Sequence, residues 1–285
     1  MAFNQNQRPI NTLSNGSGMQ NFLFPVVIVL LLYIGFLFAE LLYKYMNRLA
    51  INRVELLPNT YTIGNKTITI PQNPNVTKGA IVQLSDNERT GMEFTYTFYL
   101  NIDPSTIDQQ YDGLKHIFHK GYPTQFPLLA PGVYMRSNIN TLRVYMNTYK
   151  TWNNYVEVEN MPLSKWVHVA IVCKDNALEI FINGNLSKKK SFEGSVIYQN
   201  YQDVICFSKR KIDLKKTMVP SADDNGFIVH DSVKGMLSRL TYFNYALCYA
   251  EIQKDMEQGP SSQMDDSNLN DVPPYLADTW WAHNN

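Results

Sequence analysis

Eighteen consecutive residues near the start of this 285-residue chain, Phe22 to Ala39 (FLFPVVIVLLLYIGFLFA), carry no charge. A helix rises 1.5 Å per residue, so about 20 apolar residues are needed to cross ~30 Å of hydrocarbon. A core helix would show a polar stripe along one face, and this run has none. A signal peptide would open on basic residues and end on small ones. Here a polar segment with the single Arg8 leads in, and Glu40-Leu-Leu-Tyr43 leads out. We therefore expect a polar tail over 1–21 and an uncleaved transmembrane helix over 22–43, with a lipid bilayer as the first partner. Pro25 is expected in the helix's first turn, where its missing N–H costs little. Tyr43 and Tyr45 stand where interfacial aromatics belong. Lys44, Arg48 and Arg53 follow the run closely while only Arg8 precedes it. The positive-inside rule then places the rest of the chain on the cytosolic side.

Beyond a linker over 44–57 the pattern changes to short apolar or alternating segments punctuated by Gly, Pro, Asn and Asp, the signature of an all-β sandwich or barrel. Tyr61–Ile63 and Lys66–Ile70 flank Gly64-Asn65 and read as a hairpin. Ile81–Leu84 reads as a short strand. In Glu93–Ile102 the residues Phe94, Tyr96, Phe98, Leu100 and Ile102 share one face, a period-2 strand signal. Gly132–Arg136 and Thr141–Met146 form a further pair. Trp166–Cys173 is apolar on both faces. Lys174–Asn176 then turns the chain into Ala177–Ile182, and Asn183-Gly184 makes a second turn. Val204–Ser208 and Gly235–Phe243 are late strands, and Tyr249–Glu257 is a short helix before Gly259-Pro260. The sandwich is expected over 58–260, followed by an acidic, aromatic tail over 261–285.

The segment W-x-H-V-A-x-V (Trp166, His168, Val169, Ala170, Val172), a turn, and then Leu178 through Leu186 resembles the laminin-G-like branch of the concanavalin A-like lectin/glucanase superfamily. Lys234 to Leu247 followed by Glu251-Ile252 is similar to that family's closing strand and short helix. The resemblance implies a two-sheet antiparallel jelly-roll sandwich, preceded here by one transmembrane helix. It says little about activity, because one fold hosts many. The combination of anchor, sandwich and aromatic tail also resembles membrane proteins of large DNA viruses of algae and amoebae. That second resemblance implies a virion internal membrane or a host cytoplasmic membrane as location, with capsid proteins as partners.

The chemistry for catalysis is sparse. Glucanases of the resembling superfamily carry E-x-D-x-x-E, and retaining hydrolysis needs two carboxyls about 5–5.5 Å apart. No such motif occurs here. Glu157-Val-Glu159 comes nearest and lacks the third acid. His116 and His119 lie in a strand, where i and i+3 point to opposite faces, so a shared metal is not expected. His168 is expected to be a hydrogen-bonded core histidine. Asp223-Asp224-Asn225-Gly226 is the weak calcium candidate, and reads first as a surface turn. Cys173, Cys206 and Cys248 are odd in number and form no CxxC, which supports neither a disulfide framework nor zinc. Four N-x-S/T sequons, at Asn15, Asn65, Asn75 and Asn185, are what so Asn-rich a chain produces by chance.

Basic and acidic residues balance at 25 each, but unevenly along the chain. Lys188, Lys189, Lys190, Lys209, Arg210, Lys211, Lys215 and Lys216 form a basic stretch that would meet an anionic partner if its loops converged. Tyr122, Tyr134 and Trp152 are candidates for stacking on sugar rings. Tyr275, Trp280 and Trp281 in the tail are candidate anchors for another protein. No nucleic-acid module is visible, and no cofactor is called for. The expectation is a non-enzymatic, membrane-anchored interaction protein, with a lectin-like glycan binder as the alternative and a glycoside hydrolase behind it.

Overall fold

The computed structural model describes residues 17–46, 52–64, 66–75, 80–85, 92–122, 127–151, 153–192, 197–214 and 227–265. Residues 1–51 and 52–285 form two compact units. In the first, helix α1 (Ser17–Met46) contains the apolar run. Every side chain from Leu23 to Met46 is exposed, and the mean hydropathy of the most apolar 18-residue stretch of this span is 2.5. The helix starts before Phe22, so Pro25 lies in its interior and not in the first turn. Near the other end Glu40 and Lys44, four residues apart, pair at 2.7 Å.

The second unit holds strands β1 (Arg53–Ile63), β2 (Ile68–Ile70), β3 (Phe94–Ile102), β4 (Leu114–Tyr122), β5 (Leu128–Arg136), β6 (Leu142–Tyr145), β7 (Tyr155–Val158), β8 (Trp166–Lys174), β9 (Ala177–Ile182), β10 (Asn185–Ser191), β11 (Val204–Cys206), β12 (Ile212–Leu214), β13 (Phe227–Ser232) and β14 (Gly235–Phe243), then helix α2 (Tyr249–Met256). One sheet runs β1-β14-β3-β8-β9-β10. The other runs β12-β13-β4-β5-β6-β7, with β11 inserted between β4 and β2. All pairings are antiparallel except β13 with β4.

The period-2 face of β3 explains the core. Phe94, Tyr96, Phe98, Leu100 and Ile102 are all fully buried. They meet Phe118, Val133 and Val144 of the other sheet within one cluster, and the Phe98 and Phe118 rings pack edge-to-face at 5.3 Å. Each such buried side chain contributes about 1.5–3 kcal/mol. The polar face of β3 is buried too, and 245–256 satisfies it. Thr95 Oγ1 donates to Tyr245 O and accepts from Leu247 N, both at 3.0 Å. Tyr99 Oη donates to Met256 O at 2.6 Å. On neighbouring β8, His168 is a bonded core histidine, its Nε2 lying 3.2 Å from Asp255 Oδ2.

Three expectations need correction. Ile81–Leu84 is not a strand, although Val82 N is held by Gln72 Oε1 at 2.7 Å. Tyr61–Ile63 and Ile68–Ile70 are not a hairpin: β1 pairs with β14 in one sheet and β2 with β11 in the other. Gly64, at φ +98°, turns the chain out of its sheet. The first strand also begins at Arg53, inside the expected linker.

Candidate binding surface

One end of the sandwich carries most of its exposed tyrosines, and two buried asparagines hold that end together. Asn147 accepts Leu129 N–H at its side-chain oxygen and donates from Nδ2 to Pro127 O at 3.2 Å. Its own backbone carbonyl accepts Tyr198 N–H at 3.1 Å. Asn200 donates from Nδ2 to Lys120 O at 3.0 Å and accepts Gln202 N–H at 3.0 Å. These bonds pin the 147–151 and 197–203 loops beside the end of β4. Gly121 there sits at φ +129°, with the position of an added Cβ 1.6 Å from Leu128 O, so no other residue fits. Outside this frame Tyr122, Tyr149 and Tyr201 are 50%, 71% and 69% exposed. The rings of Tyr149 and Tyr198 stand 5.3 Å apart. Beneath them Lys120 is buried and donates from Nζ to Gln202 O at 2.5 Å. Burial pushes its amine down to about 8, against the opposing pull of Asp203.

Of the three aromatic candidates, Tyr122 belongs to this surface. Trp152 lies outside the described residues. Tyr134 is fully buried, packed edge-on against Tyr145 at 5.8 Å and Phe227 at 5.6 Å. It offers no face to a sugar, because β13 supplies the ring that covers it.

Beside Tyr134 the two histidines come together, against expectation. A bulge between His116 and Phe118 inserts Ile117 and reverses the strand's alternation. His116 Nε2 then lies 2.6 Å from His119 Nδ1. Ser208 N–H donates to His116 Nδ1 at 2.9 Å. In the neutral pair, His116 must therefore carry its proton on Nε2 and donate it to His119 Nδ1. That leaves the proton of His119 on Nε2, an atom buried without a hydrogen-bond partner among the described residues. Burial holds His119 down to about 4, and burial with the neighbouring His119 holds His116 well below its usual value. No third His, Cys, Asp or Glu joins them into a metal cluster among the described residues.

The basic candidates do not form one patch. Lys188, Lys189 and Lys190 are exposed on β10, where Lys189 pairs with Glu179 at 2.6 Å and Lys190 Nζ reaches Tyr155 O of β7 at 3.1 Å. Lys209, Arg210 and Lys211 precede β12, at the opposite edge of the β7 sheet. Five strand spacings, about 24 Å, separate those edges. Lys215, Lys216, Asp223, Asp224, Tyr275, Trp280 and Trp281 lie outside the described residues.

The carboxylate nearest to a catalytic constellation is engaged. Glu157 is held by Arg143 at 2.8 Å and by Arg136 at 3.8 Å, and the Arg143 guanidinium lies 4.2 Å over the Tyr155 ring. Cys173 and Cys206 are free and buried, and burial pushes both thiols up, so neither is a ready nucleophile.

The profile of the concanavalin A-like lectin/glucanases superfamily, in its Laminin_G_3 form, matches residues 76–253. The chain belongs to that superfamily. The match takes in β3 through the start of α2, and the two antiparallel sheets are its sandwich. No curated protein sequence matches the chain. Among solved structures, the superfamily domain is similar to the botulinum neurotoxin serotype D ligand-binding domain in complex with N-acetylneuraminic acid (11% identity, TM-score 0.47, 70% of this chain and 42% of that one). It is similar also to the serotype G binding domain (15%, TM-score 0.46, 71% and 42%). A third is the binding domain of Paraclostridial Mosquitocidal Protein 1 (12%, TM-score 0.41, 73% and 47%). The chain spans less than half the length of each, and these likenesses say nothing of what it binds.

Proposed function

We propose that this chain is a single-pass membrane protein whose sandwich is a non-catalytic binding module held on the cytosolic side. The observation that carries the reading is α1: side chains 23–46 are all exposed on an apolar helix long enough to span a bilayer. In water each exposed Leu, Val or Phe would forgo about 1.5–3 kcal/mol of burial, whereas lipid supplies it. The span exceeds the 7–15-residue apolar core of a signal peptide. The Glu40–Lys44 pair eases the one acidic residue near its end. Sidedness rests on Lys44, Arg48 and Arg53. In sealed microsomes, added protease is expected to digest the sandwich without detergent. Full protection of residues 52–285 would reverse the orientation.

Superfamily membership favours a second reading, a lectin-like glycan binder. The absence of E-x-D-x-x-E and the pairing of Glu157 with two arginines support the non-enzymatic part of both readings. The full chain in nanodiscs, applied to a glycan array and to soluble β-glucans, is expected to leave the glucans intact. Hydrolysis lost on Glu157→Gln would overturn this, and saturable array binding would favour the lectin reading. Neither the fold nor the comparisons support the virion or capsid setting that the viral resemblance implies.

A further inference from the structure

We propose that the tyrosine-bearing end of the sandwich is a lipid-contacting surface that rests on the headgroups of the membrane into which the chain inserts. The proposal rests on the membrane-anchor reading and adds a second contact to it. Six residues, 47–52, separate Met46, the last of α1, from Arg53, the first of β1. An extended chain covers at most about 3.5 Å per residue, so Arg53 is tethered within about 25 Å of the helix's end. Arg53 pairs with Phe243, the last residue of β14. The same sheet end holds Phe94 at the start of β3 and the Lys174–Ala177 turn between β8 and β9.

From that turn the hydrogen bonds lead to the tyrosines. Asn176 Oδ1 accepts Ile197 N–H at 3.1 Å, Ile197 bridges to Thr148, and Tyr198 N–H donates to Asn147 O. Tyr122, Tyr149, Tyr198 and Tyr201 therefore lie at the end where the chain enters the sandwich. The far end, with Ile63, Gly235 and Ile139, stands an eleven-residue strand away, about 35 Å. Tyrosine has an apolar ring and a polar tip, the combination enriched at membrane–water interfaces. Exposed Lys150 and Lys174 at the same end suit anionic headgroups.

The test uses the full chain with Cys248→Ser, since Cys248 is exposed and Cys173 and Cys206 are buried. Single nitroxide labels are placed at Lys150→Cys, Lys174→Cys, Ile139→Cys and Leu32→Cys. The chain is reconstituted in vesicles of phosphatidylcholine and phosphatidylglycerol, and accessibility to oxygen is compared with that to a water-soluble nickel chelate. The labels at 150 and 174 are expected to favour oxygen severalfold over the label at 139. Adding Tyr149→Ser and Tyr201→Ser is expected to reduce that preference while leaving Leu32→Cys in lipid. Labels at 150 and 174 as water-accessible as the one at 139, with Leu32→Cys in lipid, would overturn the proposal and leave the anchor standing. A water-accessible label at Leu32→Cys would overturn both. Shielding at 150 and 174 that disappears when the chain is diluted to one copy per vesicle would overturn the proposal and assign the surface to a second copy of the chain. Glycan binding abolished by Tyr149→Ser and Tyr201→Ser would assign it to sugar.

Discussion

Deleting residues 1–51 is expected to turn a detergent-dependent protein into one that stays in solution unaided, with its β-sheet circular dichroism intact. The sandwich from residue 52 onward is a compact unit with its own core, and strand β1 keeps its full pairing with β14 when the cut precedes Arg53. The removed segment contains a helix whose side chains from Leu23 onward lie outside any protein core. The full chain should remain in the membrane pellet through alkaline carbonate, whereas the deletion should appear in the supernatant. A full chain that washes off in carbonate would defeat the anchor reading, and a deletion that aggregates with lost sheet signal would show that the sandwich depends on the segment removed.

Mild acid is expected to destabilise the sandwich before its carboxylates titrate, through the His116–His119 pair. Both imidazoles are neutral in the fold, since burial lowers their proton affinity. Above pH 6.5 the folded and unfolded chains bind equal numbers of protons at these sites, and their contribution is flat. Below 6.5 the unfolded imidazoles take up protons that the folded ones refuse, so stability falls with pH. At 1.36 kcal/mol per pH unit, His119 alone accounts for about 3 kcal/mol between pH 6.5 and its folded value of about 4. Geometry acts in the same direction. A proton on His116 Nδ1 would oppose Ser208 N–H, and one on His119 Nδ1 would oppose His116 Nε2–H. Urea unfolding of residues 52–285 at intervals from pH 7.5 to 5 measures the slope. A double variant, His116→Gln with His119→Gln, should flatten it. An unchanged slope in that variant would assign the acid sensitivity to other groups.

The sandwich was legible where periodicity spans a whole strand. In β3 the alternation of Phe94 to Ile102 identified both the strand and its core face. In β8–β9 the apolar run and the Lys174–Asn176 turn identify a hairpin, and Asn183-Gly184 marks the next turn, which leads from β9 into β10. Local pattern was insufficient where distant residues decide. Gly64 marks a turn, yet whether the chain folds back or crosses to the other sheet depends on β14 and β11, more than a hundred residues away. One inserted residue, Ile117, reversed the parity on which the separation of His116 and His119 was judged. Nothing near Tyr134, a candidate for stacking on sugar, shows that its ring is buried, because its cover, Phe227, comes from β13 far along the chain. The tyrosine surface was half visible: Tyr122 was picked out, but nothing local shows that 147–151 and 197–203 meet beside it.

The lysines of β10 gain a different meaning from their position. That strand closes one side of its sheet, and all seven of its residues are exposed. Backbone amides and carbonyls on such a margin invite the strand of another molecule to continue the ladder. The ammonium groups of Lys188 and Lys190, which no carboxylate on the same strand balances, make that addition repulsive when the newcomer is an identical chain, while Lys189 is paired with Glu179. Copies of the chain can thus stand side by side without stitching their sheets together.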